Sequence, residues 1–358
     1  MKTFSEYINP HQTLSIKESA SPKYTLFPKR RYELEQMIEE EIEKHGKNAN
    51  LNHIDVSKIT DFSDLFRWSQ FNGDISKWDV SNAKNMRYMF INAYYFDQDL
   101  SGWDVSNVTD MSHMFDGAHS FNQDLSEWDV SNVTDMSCMF HEASAFDQDL
   151  SGWDVSNVTD MSSMFYQASS FNGDVSTWDV RNVTNMSFMF ASSTFNGNLK
   201  RWNTKNVENM GAMFSCAKSF NQDISKWDVS NVKDMEYMFN GCISFNQDLS
   251  RWDVSNVTSM SKMFENAESF NQDISSWNTT KVKDMSYMFC SAKSFNQDIS
   301  KWNISNEWDM SCMFKDAVSF NQDLSEWEVS CMTNIENMFK GCPCPKERQP
   351  KFMIKYMY

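Results

Sequence analysis

A chain of 358 residues with only 10 Gly and 6 Pro is neither collagen-like nor a low-complexity disordered segment, and 15% aromatic residues give it ample apolar area to bury. Its formal net charge of −17 argues against a nucleic-acid partner, whose phosphates it would repel, and no run of 18 apolar residues offers a membrane span. Length alone would suggest two or three globular domains; the internal repeat replaces that expectation.

Residues 1–28 are polar and irregular, punctuated by Pro10, Pro22 and Pro28. The opening Met1-Lys2-Thr3-Phe4-Ser5-Glu6-Tyr7-Ile8 has no apolar stretch of the signal-peptide kind, so export by a standard secretory signal is not expected and a cytoplasmic or virion-associated location is. From about Arg30 to His45, Leu34, Met37, Ile38 and Ile42 fall at helical spacing with Glu33, Glu35, Glu39 and Glu40 opposite, and Gly46 supplies the stop. Residues 1–46 therefore read as an N-terminal segment ending in a capping helix.

Residues 47–340 are a repeat array. The first coil, 47–70, keeps apolar residues (Leu51, Ile54, Val56, Ile59, Phe62, Leu65, Phe66) where later units have Leu, Trp, Val, Val, Met, Met and Phe, but it loses their polar signature. From Phe71 the phrase F-N-Q-D-L-S-x-W-D-V-S-N-V-T-D-M-S-x-M-F-x-x-A-x-S recurs head to tail, reopening at Phe96, Phe121 and onward to Phe320. A short fixed period means that each unit buries its apolar face only by stacking on its neighbours. After Phe339 the phrase dissolves into Gly341-Cys342-Pro343-Cys344-Pro345 and a basic, aromatic tail, so 341–358 reads as a C-terminal cap or tail.

Within the unit opening at Phe96, Val108, Met111, Met114, Phe115 and Ala118 predict two to three turns of helix capped by Asn107 or Thr109, while Leu100, Trp103 and Val105 predict a strand over residues 99–105. The expected fold is a right-handed α/β solenoid like a leucine-rich repeat. About twelve coils of 24–25 residues would stack with a parallel strand ladder and short helices, the strands lying about 4.8 Å apart. The expected interior of this unit is Phe96, Leu100, Trp103, Val105, Val108, Met111, Met114, Phe115 and Ala118.

Several polar and aromatic residues form ladders, one per coil. The Trp ladder (Trp78, Trp103, Trp128 and equivalents to Trp327) is read as an interior spine, the alternative being a platform for sugar rings. Two Asp ladders run through Asp99, Asp124 and Asp149 and through Asp104, Asp129 and Asp154. Carboxylates about 5 Å apart repel unless neutralised, so either calcium sits between coils or each Asp accepts N–H bonds in its own turn. Turn capping is the reading adopted, with no cofactor expected and calcium as the alternative, which would make the chain a calcium-stabilised carbohydrate-binding solenoid. The Asn slot running Asn72, Asn122, Asn172 and on to Asn321 is read as satisfying backbone at the turns. Eight Cys at scattered repeat positions encode no disulfide ladder, and Cys331, Cys342 and Cys344 match no standard zinc spacing. Six dispersed His, with only His113, His119 and His141 able to approach one another, accompany no phosphate loop or nucleophile motif, so no enzymatic activity is expected.

The phrases FNQDLS, WDVSNVT and MSxMF resemble the repeats of the BspA-like leucine-rich-repeat surface proteins, also known as the mycoplasma lipoprotein DUF285 repeat, over about residues 50–340. That resemblance implies a cell-surface, adhesin-like protein that binds other proteins, with no enzymatic activity attached to the repeat. The opening MKTFSEYI resembles the starts of structural proteins of large tailed phages, which implies a virion or decoration component instead.

Function is expected where the near-copies differ. The slot before Trp holds Lys77, Glu127, Arg201, Lys226, Arg251 and Lys301 among smaller residues, and the slot in M-S-x-M holds Tyr88, His113, Phe188, Tyr237 and Tyr287. Packing fixes structural slots, so these two variable stripes are the candidate surface for a protein partner that the sequence does not name.

Overall fold

A computed structural model describes residues 24–306 and 309–353 of the chain. The readings made for residues 1–23 and for the tail at 354–358 lie outside the described residues.

The apolar stripe ahead of the repeat forms α1 (Arg31–His45), ended by Gly46 at φ 83°, whose N–H returns to the Ile42 carbonyl. Leu34 and Ile38 are buried, and Met37 and Ile42 are half-buried against the same core. Glu41 on this face is 9% exposed and lies 3.2 Å from His53 Nε2 of the first coil. Ahead of the helix, Leu26 pairs in parallel with Ile54.

Beyond Gly46 the backbone is organised by bonds between residues one repeat apart. Parallel bridges link Asp61 to Asn85, Asn85 to Asp110, Asp110 to Asp135, and so on to Asn334. At the joint after the Phe96 unit, the N–H groups of Met111, His113, Phe115 and Gly117 donate to the carbonyls of Asp135, Ser137, Met139 and His141 at 2.7–3.1 Å. The intervening N–H groups close turns inside their own coil: Met114 on Met111, Asp116 on His113 and Ala118 on Phe115.

This arrangement replaces both elements expected within a coil. Neither the short helix at 108–118 nor a strand at 99–105 is present. Among the described residues after Gly46, regular structure is limited to β1 (Glu328–Ser330), a single 3-10 turn at Lys346–Arg348 and β2 (Lys351–Met353). The cause is a pair of left-handed residues in each coil, His113 at φ 56° and Gly117 at φ 68° in this one. Each reverses the winding before a second helical turn closes. Successive β-turns then give the same i, i+3, i+4, i+7 spacing as a helix, while alternate N–H groups are freed to reach the next coil. A left-handed conformation costs a non-glycine residue roughly 1–2 kcal/mol, offset by the bond that its N–H makes across the joint. Upstream, Trp103 folds its N–H back on the Leu100 carbonyl at 3.0 Å, so the segment expected as a strand opens with a turn.

The nine interior residues of the Phe96 unit are all at most 3% exposed. Phe90, Phe115, Phe140, Phe165 and Phe190 stack coil on coil with centroids 5.4–5.7 Å apart. Phe115 also lies flat on Phe121 at 4.0 Å, so each coil adds two rings to one continuous pile. Burying such a side chain stabilises by about 1.5–3 kcal/mol, and a stacked pair adds about 0.5–1.5 kcal/mol. The coil opening at Phe171 is one residue short, yet the Asn196 N–H still reaches Asn172 Oδ1 at 2.9 Å, because the loss falls in the outer turn. At the far end β2 pairs in parallel with β1, Glu328 opposite Lys351, and Arg348 donates to the Asn321 carbonyl at 2.8 Å.

Candidate functional site

The constant polar side chains are occupied by the joints and turns. Each candidate calcium ligand accepts the N–H of the Ser two residues on: Asp99 from Ser101, Asp124 from Ser126 and Asp149 from Ser151, at 2.9 Å in each case. Asp104, Asp129 and Asp154 do the same with Ser106, Ser131 and Ser156 at 3.0–3.1 Å. A third Asp, as at Asp110 with Ser112, repeats the motif, so D-x-S is a turn signature used three times in each of the coils opening at Phe96, Phe121 and Phe146. Among the described residues, no three His, Cys, Asp or Glu side chains gather where an ion could sit.

The Trp residues of the ladder are buried, and from Trp78 to Trp302 each indole N–H donates to the carbonyl of the Leu-type residue in the preceding coil, as Trp128 does to Leu100 at 3.0 Å, while that of Trp327 donates to the Ser300 carbonyl. The Asn slot carries its own ladder. Asn122 takes its place by donating its N–H to Asp97 Oδ1 and accepting the Asp147 N–H on its Oδ1, at 3.0 and 2.9 Å. The thiols of Cys342 and Cys344 donate to the Phe320 and Gln322 carbonyls. Among the described residues, no helix is long and apolar enough to cross a membrane.

The slot before Trp sits at the corner of the Leu-x-x-Trp turn and points away from the core. Lys77, Glu127, Arg201, Lys226, Arg251 and Lys301 are all exposed there. In the opposite part of the coil, Tyr88, His113, Phe188, Tyr237 and Tyr287 all have φ between 56° and 58°. They are turn residues and not the helix residues that their spacing suggested. Phe188 is 45% exposed, and the other four are half-buried by contacts along the stack. Tyr88 packs on His113 at 4.6 Å. Lys262 lies between Tyr237 and Tyr287, 4.7 and 5.4 Å from their centroids, and donates to the Tyr237 hydroxyl at 2.6 Å. No hydrogen bond or ring contact among the described residues joins the two stripes.

The sequence reading missed a second slot on this turn edge, three residues later, held by Ile91, Asp116, His141, Tyr166, Ala191, Asn240 and Glu265. Comparing columns across the near-copies exposes it as plainly as the first. Its residues complete the edge: Asp116 accepts from His113 Nδ1 at 2.8 Å and from His141 Nδ1 at 2.6 Å, and Tyr166 stacks on His141 at 5.1 Å. Burial and the nearby Asp116 push the Cys138 thiol up to about 12, which leaves it protonated and unreactive. Charge is also segregated along the chain. From Tyr88 to Val180 there is no Lys or Arg, while every coil of that stretch carries several Asp or Glu.

A family model described as "Mycoplasma protein of unknown function, DUF285" matches residues 32–152, 100–199, 191–293 and 245–351. No match is found among curated proteins.

Proposed function

The chain belongs to the DUF285 family of repeat proteins, and from that premise we propose that it is a rigid, non-catalytic solenoid scaffold that binds another protein. Binding runs through the residues that differ between otherwise near-identical coils. The observation that carries this reading is the division of labour within each unit. Residues repeated in nearly every coil are buried or hydrogen-bonded to a turn or joint, and those that vary lie on two outward stripes. Aromatic and charged residues at regular intervals on a stiff support are what recognition of a protein surface requires, since little ordering entropy is spent on binding. The stretch without Lys or Arg favours a basic partner and makes association sensitive to salt.

Affinity capture from the native source tests this. A protein partner that co-purifies at low salt and is released as salt rises supports it. A chain that captures no stable partner, or one whose capture ignores both stripes when they are substituted, contradicts it.

A further inference from the structure

His113, Asp116 and His141 tie two coils together at the turn edge. Asp116 uses both oxygens, Oδ2 for His113 Nδ1 of its own coil at 2.8 Å and Oδ1 for His141 Nδ1 across the joint at 2.6 Å. The rings are held from outside by Tyr88 at 4.6 Å and Tyr166 at 5.1 Å, so neither imidazole is free to turn its Nδ1 elsewhere. With Nδ1 committed, a proton is taken up at Nε2, and Glu142 Oε1 lies 3.9 Å from that atom of His141. The other titratable groups against the trio are Tyr88 from the preceding coil, on the His113 ring, Cys138 from the next coil, near Asp116, and Tyr166 beyond, on the His141 ring. Arg87 is engaged with the Tyr88 hydroxyl at 2.8 Å.

We infer that this trio is a proton-operated clasp between the coils opening at Phe96 and Phe121. Protonation of His141 at Nε2 tightens its bond to the Asp116 carboxylate and sets a positive charge against that negative one across the joint. Burial alone would push the His141 imidazole down and the Asp116 carboxyl up; the hydrogen bonds between them reverse both, so His141 titrates above its ordinary value and Asp116 below. The clasp is therefore complete below the ordinary imidazole value of about 6.5. It weakens as pH rises through the folded value of His141, and acid undoes it only where Asp116 itself takes a proton. The inference stands apart from the identity of any binding partner.

The test is an imidazole NMR titration of the full chain, wild type against Asp116→Asn and His141→Tyr. Other coils already carry Asn240 and Tyr166 in this slot, so the fold accommodates both replacements. In wild type the His141 midpoint lies above about 6.5; in D116N it falls. A His141 midpoint that is the same with and without Asp116 overturns the clasp. Amide exchange supplies the second readout. Protection of the His113 and Gly117 amides relative to the equivalent Lys262 and Asn266 amides rises between about pH 8 and about pH 5.5 in wild type and stays level in D116N and H141Y. A ratio that is flat in wild type, or that rises equally in all three, overturns it as well.

Discussion

Met114 and Phe115 sit side by side between His113 and Asp116, yet the two pairs behave in opposite ways. The Met-Phe pair recurs unchanged in every unit from Met89-Phe90 to Met338-Phe339, whereas the flanking slots change identity almost every coil. Up to Met313-Phe314 the interior pair is fully buried in a pile of rings where a lost methylene leaves a void. The flanking pair stands on a left-handed turn whose backbone bonds depend on no side chain. Burial thus freezes one pair and leaves its neighbours free to carry information.

The largest expected effect lies on the frozen side. Phe220→Ala, mid-array, should cost about 3–5 kcal/mol in a urea denaturation series. Met37→Ala in α1 should cost less than half as much, because the helix covers an end and Met37 is only half-buried. Equal losses would remove the difference between centre and end. A smaller cost, about 1–3 kcal/mol, is expected for Trp227→Phe. The ring volume is largely kept, but the Leu199 carbonyl loses the indole N–H now 3.0 Å away. Thermal melting of that variant next to Trp227→Ala separates the lost bond from the lost area.

At the turn edge the sign reverses. Ser192 holds φ 55° at an exposed position where other coils carry Gly117 and Gly241, so Ser192→Gly should stabilise by about 0.5 kcal/mol as relief of the left-handed strain exceeds the entropy glycine brings to the unfolded chain. A destabilised S192G would show that the turn is not strained in the manner described. No change at all is expected from EDTA. Each ladder Asp already bonds its own turn, so the melting curve should be superimposable with and without chelator, and a fall of several degrees restored by calcium would revive an ion between coils.

The same contrast explains how much could be read from the sequence. The terminal helix was legible because Leu34, Ile38 and Ile42 are helical in both spacing and length, with Gly46 as a stop. The buried slots of each coil were legible because the apolar residues repeat from coil to coil, with a few small polar substitutes such as Thr204, Thr279 and Ser193. The backbone between them was not. Apolar residues at 108, 111, 114, 115 and 118 fit a helix and a chain of β-turns equally, and the left-handed residues that decide between them are mostly not glycine, as with His113, Cys138 and Phe188. Bonds to the next coil hold those residues in place, and such bonds leave no local mark on the sequence. The clasp escaped notice for a related reason: His113 and His141 share Asp116 only once the joint brings residues 25 positions apart together.

The measurement that tests the central claim most directly uses one chain in which Lys226, Arg251, Tyr237, Lys262 and Tyr287 are replaced by the Gly and Ser that other coils carry in those slots. Its unfolding midpoint and its capture of partner are read against wild type. The account predicts loss of the partner without a core-sized loss of stability: the exposed Lys226 and Arg251 contribute within about 0.5 kcal/mol each, and the half-buried Tyr237, Lys262 and Tyr287 about 0.5–1 kcal/mol each as their mutual contacts are lost. A chain that melts as though its core were damaged, or one that keeps both its stability and its partner, would contradict it.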